Sequence, residues 1–380
     1  MILISVTIVL TIQIFTASQI TIQDSKYEVE TRNLFDNILK DVSNMRGLSV
    51  PNGTELRIVS IQFFQEGETQ KIAEESQEIK LEDLVYHALF LIPQNYSVGE
   101  AREEQAGRIL SAVAGTRLYV VKEYFDPEDI LSARRTLAHE ITHILQYQFK
   151  PVNVTTFDRQ QAWAALIEGD ADFTADNYIT TYGPQSIMYT PVPDSLDRIN
   201  GFPYQYGSSF IDALYQKGGW SLVDSAYDRQ PSSTEEVLHP GIYLTDGSSI
   251  LVAALKPVSD GWDTFWNENV GEYFIRIMLE NGVPSDIAEK AAEGWGGDNL
   301  TLFRRDDVNL VTWRIAWDTE TDASEFVAAY RAMLRGMGAE EVEPNLYYLM
   351  NYYASISRTE LVTEIVSSMA LGPVMPFLSK

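Results

Sequence analysis

Two of the four histidines in this chain, His139 and His143, stand four residues apart in TLAHEITHILQYQ (136–148), with Glu140 beside the first. On a helix that spacing sets both imidazoles on one face, one turn above the other. Two ring nitrogens so placed can hold one metal ion. Glu140 lies about 100° around the same helix, within reach of a water beside the metal but not placed as a ligand. The chemistry would be hydrolysis, in which zinc acidifies a water and polarises a carbonyl while a neighbouring carboxylate moves the proton. The H-E-x-x-H spacing suits that division of labour. The bland alternative is a helix that happens to carry two histidines, and a third ligand decides between them.

A zinc site needs that third protein ligand and an open position. ALIEGDADF supplies Glu168 and Asp172 at i and i+4. A short connection makes this helix an antiparallel neighbour of the first, so the carboxylates can face the histidines. Glu168 is the expected ligand. Asp172 is expected to accept the free ring N–H of His139 and hold its tautomer. Asp176 lies on the same stripe as a lesser ligand candidate, and Asp170 reads, with Asp176, as part of a solvated acidic face.

A hydrolytic site also needs a donor for the oxyanion. His239, in STEEVLHP, is the first candidate and is expected as a catalytic residue; Tyr204 and Tyr206 follow. The competing reading is that Ser233 and Glu236 form an S-x-x-E capping box and His239-Pro240 ends that helix. His87, on an apolar helix face, reads as structural. The strand TRLYVV is a candidate to pair with an extended substrate, or is simply a sheet strand. GGW (218–220) and GWGGD (294–298) lack the lysine and the spacing of phosphate loops and read as tight turns packed by Trp220 and Trp295.

The elements that would position these residues follow from periodicity and punctuation. Tyr27 to Met45 reads as a helix, 54–64 as a strand, 69–93 as a helix closed by Pro93, and 108–121 as a hairpin turning at Gly115. Asp126-Pro127-Glu128-Asp129 is a helix start, with Asp126 as cap, and the helix runs to Phe149 carrying the motif. The next helix starts near Asp158 and ends before Gly183-Pro184. From about 303 the order reads strand, helix, strand (LYYLMNYYASIS), helix (TELVTEIVSSMA). The fold class is therefore α+β: a mainly helical core with a small sheet over 23–302, and a small C-terminal α+β lobe over 303–380.

Composition narrows the partners. The formal net charge is −26, with 28 basic against 54 acidic residues, which argues against nucleic acid, whose phosphates need a concentrated basic surface. There is no cysteine, so disulfides, thiol nucleophiles and cysteine-held metals are excluded. Residues 1–22, apolar from Ile2 to Phe15 and followed by the small residues Thr16-Ala17-Ser18, read as a signal peptide or an N-terminal membrane anchor. Either puts the bulk of the chain outside the cytoplasm, secreted or anchored. A buried N-terminal strand is the alternative.

H-E-x-x-H followed 25 residues later by E-x-x-x-D resembles the thermolysin-like gluzincins, which ligate zinc through two histidines and a glutamate. Further stretches (YGSSFIDALYQKGGW, PSSTEEVLHP, AAEGWGGD and WDTETDASEFVAAY) resemble a group of predicted bacterial and archaeal metallopeptidases, over roughly residues 105 to 335. The resemblance implies a zincin-like core and a zinc metallopeptidase acting on peptides or proteins, an endopeptidase, with His139, His143 and Glu168 on Zn2+ and Glu140 as general base. No match to the substrate loops of thermolysin is seen. Two other readings stay open: a surface protein whose metal only staples two helices, and a zinc hydrolase of a non-peptide envelope amide.

Overall fold

A computed structural model describes residues 25–63, 76–106, 111–150, 154–181, 194–245, 247 and 249–378. The expected leader or anchor at 1–22 lies outside the described residues. Among those described, no helix is long and apolar enough to cross a membrane.

The fold is α+β. Its first half holds helices α1 (Ser25–Arg46), α2 (Ser76–Ala88), α3 (Val98–Ala106), α4 (Ile130–Gln146), α5 (Phe157–Thr180), α6 (Ser195–Asn200), α7 (Phe202–Ser225), α8 (Thr234–Leu238) and α9 (Pro240–Leu244). Strands β1 (Glu55–Val59), β2 (Ser111–Ala114) and β3 (Arg117–Val121) form a small sheet in the order β1-β3-β2. β2 and β3 are the expected hairpin, turning at Gly115 with φ +63°. The strand expected to meet substrate, TRLYVV, is the middle one, so its edges are taken and β2 forms the rim.

The second half is built on a seven-stranded antiparallel sheet in the order β4-β5-β6-β10-β9-β8-β7. Its strands are β4 (Asp263–Glu268), β5 (Trp295–Arg305), β6 (Val308–Trp317), β7 (Glu340–Glu343), β8 (Leu346–Leu349), β9 (Tyr352–Thr359) and β10 (Val362–Ser368). Helices α10 (Gly271–Leu279), α11 (Ser285–Ala292) and α12 (Glu320–Gly336) accompany it.

Three expectations differ from this half. The boundary near 303 falls inside β5, and the sheet opens at Asp263. LYYLMNYYASIS is two strands, joined by Met350 and Asn351 in left-handed backbone (φ 49° and 67°). TELVTEIVSSMA is strand β10, not a helix. Leu361, Val362, Ile365 and Val366 fit a helical stripe, but pairing with β6 and β9 on both sides satisfies the backbone instead. One apolar core runs through both halves, from Leu166 and Phe210 through Phe274 to Trp313, Phe326 and Ile365. A second core, with Ile38, Leu118, Leu137, Ile141 and Ala175, packs α1 and the small sheet against α4 and α5.

Candidate metal centre

α4 and α5 carry the centre. The α4 start is later than expected: Asp126 accepts from the Glu128 amide in a turn, and Asp129 is the cap, accepting from Ser132 N. From Leu137 to Gln146 every residue of α4 is buried, because the helix is covered by α1, α5 and the small sheet. α5 is capped by Thr156, and its Glu168–Asp172 segment is buried too. Behind it α7 crosses so closely that a Cβ on Gly169 would stand 2.2 Å from the Gly207 carbonyl carbon. Only glycine permits that contact.

The crossing brings His139 Nε2, His143 Nε2 and Glu168 Oε2 together. The nitrogens are 3.1 Å apart, and the carboxylate oxygen is 3.3 Å from His139 and 3.5 Å from His143. Donors bound to zinc at about 2.0–2.2 Å in tetrahedral geometry stand about 3.3–3.6 Å from each other. The triangle therefore has the size of one face of such a site. These three form the metal-capable cluster found among the described residues.

The outer hydrogen bonds say which ring atoms face inward. His139 Nδ1–H donates to Asp172 Oδ1 (3.0 Å), as expected. Arg135 also donates to that oxygen, and to Asp176. His143 Nδ1–H donates to Gln146 Oε1 (2.8 Å), a partner sequence reasoning missed although Gln146 lies on the same stripe. Gln146 Nε2 in turn donates to Ile167 O (2.9 Å) and Asp170 Oδ2 (3.3 Å), which turns its oxygen toward the histidine. With both Nδ1 atoms protonated, neutral rings present lone pairs at Nε2. Two lone pairs and a carboxylate oxygen within 3.5 Å leave a space that suits a cation.

Electrostatics agree. Burial works against a charged His139, yet Asp172 and Glu168 outweigh it and push its pKa to about 10. His143 is raised as well, burial being overcome by Glu168. Burial alone would raise Glu168, but the two histidines hold it below the usual carboxylate range.

Glu140 sits beside this cluster, 1% exposed, and accepts from Ser111 Oγ on β2 (2.8 Å). Ser111 carries no motif signal, since its role depends on a strand 29 residues upstream.

Other expected residues lie elsewhere. His239 Nε2–H donates to Glu272 Oε1 (3.0 Å) on α10, and its short helix is tied by Thr234 to Asp158 at the N-terminal end of α5. Glu168 is about 15 Å farther along that helix, at 1.5 Å per residue. Ser233 does cap α8, while Glu236 reaches back to the Ser232 amide. Tyr206 packs its ring at a tilt to Phe202 and edge-on to Tyr273 in the α7–α10 packing. Tyr204 lies in the first turn of α7. His87 bonds the Pro93 and Tyr96 carbonyls, a structural role. Asp176 pairs with Arg135 at the outer end of the stripe. Asp170 is not solvated: it is fully buried, held by Arg46 (2.9 Å), Tyr227 OH (2.7 Å) and Gln146.

Residues 257–367 match a domain of unknown function (DUF8575), a span that coincides with the seven-stranded sheet and its helices. No curated protein matches this chain in sequence. A solved structure similar to it is that of a candidate hydrolase with a novel fold from Chloroflexus aurantiacus, at 17% identity and a TM-score of 0.37, covering 60% of this chain and 92% of that one. That likeness is too distant to carry an argument.

Proposed function

We propose that this chain is a zinc-dependent hydrolase and, more finely, a metallopeptidase of gluzincin type. One observation carries the reading: His139, His143 and Glu168 present three donors on a face 3.1 to 3.5 Å on edge, with the buried Glu140 alongside. A zinc ion held there would supply Lewis acidity toward a carbonyl and toward water. Glu140 then takes the proton from the attacking water and passes it to the leaving amine. Ser111 fixes the rotation of the Glu140 carboxylate, so the base acts from a set direction. Asp172 and Gln146 keep both imidazoles in the ligating tautomer. β2 is the rim strand nearest Glu140 and the place where an extended peptide would pair. The apolar run at 1–22 supports a secreted or membrane-anchored location.

A purely structural metal would take a fourth protein ligand. Asp176 and His239, which could serve as one, are engaged elsewhere, with Arg135 and with Glu272. Three donors favour an open, catalytic site.

The test is zinc content per chain for wild type, Glu168→Ala and Glu140→Ala, with casein and peptide hydrolysis on the same samples. Near-stoichiometric zinc in wild type, its loss in Glu168→Ala, and its retention without activity in Glu140→Ala are expected. A wild type that takes up no zinc after re-addition would refute the reading. Activity confined to non-peptide envelope amides would keep the zinc hydrolase and discard the peptidase.

A further inference from the structure

We infer that the C-terminal sheet carries a second site, independent of the metal centre, that binds a small organic oxyanion. The site is a cavity of ≈ 390 Å³ between α12 and β9. It shares no residue with the metal centre and stands whether or not zinc binds.

One wall is a helical stripe, Ser324, Val327, Ala328 and Arg331, at i, i+3, i+4 and i+7 on α12. The other is Ile356, Ser357 and Arg358 on β9, with Asn345 from the β7–β8 turn. Val327 and Ile356 are buried and give the cavity an apolar floor. Arg331 and Arg358 line it.

Their hydrogen-bond partners are neutral groups. Acidic residues outnumber basic ones 54 to 28, and Arg46, Arg102, Arg135 and Arg314 each hold a carboxylate. Arg331 and Arg358 hold none among the described residues. Arg331 Nη2 donates to Asn345 Oδ1 (2.5 Å). Arg358 Nη1 donates to the carbonyls of Glu320 (3.3 Å) and Glu360 (3.2 Å), which anchors the group and leaves Nε and Nη2 to a ligand.

Guanidinium forks match the paired oxygens of carboxylate and phosphate. The volume lies in the range of small-molecule sites, which run to about 300–1,000 Å³, and the floor is apolar. The ligand is therefore an oxyanion on a compact apolar body, either a carboxylate or a phosphate monoester. The Ser324 hydroxyl proton is already given to Glu320 O, so the arginines carry the recognition.

Calorimetric titration of the full chain with phenyl phosphate, phenylacetate and inorganic phosphate tests this. Arg331→Gln, Arg358→Gln and Arg335→Gln are titrated alongside, and thermal melts without ligand check folding. Arg335 is the control, on the same helix but exposed and paired with Glu341. Saturable millimolar or tighter binding is expected for at least one organic probe, weakened about tenfold or more by Arg331→Gln and Arg358→Gln and unchanged in Arg335→Gln. Preference between the two organic probes identifies the headgroup. Should Arg331→Gln fail to fold, Arg358→Gln, on an exposed side chain, decides alone. Absence of saturable binding by every probe, or equal binding in Arg358→Gln, would overturn the proposal. So would an equal loss in Arg335→Gln, which would mark a general charge effect.

Discussion

Replacing Gln146 by leucine should weaken the metal site without touching a ligand. The side chain makes three hydrogen bonds from one buried position: His143 Nδ1–H at 2.8 Å, Ile167 O at 2.9 Å and Asp170 Oδ2 at 3.3 Å. In Gln146→Leu the His143 N–H is left buried without an acceptor, a cost of about 1–3 kcal/mol, and two acceptors lose a donor at about 1 kcal/mol each. The expected loss of stability is about 3–5 kcal/mol, read by urea unfolding. Loss of the partner that fixes a ligand's tautomer lowers metal affinity by about 10–100-fold, read by competition with a chromophoric chelator. Gln146→Glu separates the two roles. It keeps an oxygen for His143 but sets a second one against Asp170 and Ile167 O, so zinc affinity should survive while stability falls. A folded Gln146→Leu that binds zinc as wild type does would refute the tautomer argument.

Two more outcomes follow from buried groups. Gly169→Ala places a methyl 2.2 Å from the Gly207 backbone, which cannot turn aside as a side chain would; a loss of about 3 kcal/mol or more is expected, and a urea midpoint near wild type would show the helices can part. Burial raises Asp158 to about 8, with Asp298 and Glu272 adding to it against the Thr234 hydrogen bonds, whereas the unfolded group titrates near about 3.9. Between those values the folded state holds the extra proton, so stability falls as pH rises from about 4 to about 8. Asp158→Asn should show a smaller fall between pH 5 and 8 in urea unfolding, and an equal fall would remove Asp158 as its source.

What could be read in advance was whatever a single helix encodes. His139 with His143, and Glu168 with Asp172, are i, i+4 pairs, and the short link between their helices made the pairing of faces a local matter. Gln146 was on the same stripe, but its meaning depends on Asp170, and Asp170 looked like surface because Arg46 lies 124 residues away. Ser111 reaches Glu140 from the small sheet, 29 residues upstream. β10 carries a pattern compatible with either period, and only its neighbours in the sheet decide it. His239 carried a type suited to catalysis but no spacing that tied it to the helix pair, and it lies by Glu272 instead.

The Arg46–Asp170 contact also bears on how small a working version of this protein can be. Arg46 is the last residue of α1, and its guanidinium, stacked 4.0 Å over Trp220, reaches Asp170 and Asp224 from outside the ligand-bearing helices. A fragment beginning after α1 would retain every metal ligand yet bury the Asp170 carboxylate with no cation beside it, at a cost of about 3–5 kcal/mol. That is much of the stability an ordinary domain has. The shortest autonomous unit therefore starts no later than α1, nearly a hundred residues before the first metal ligand.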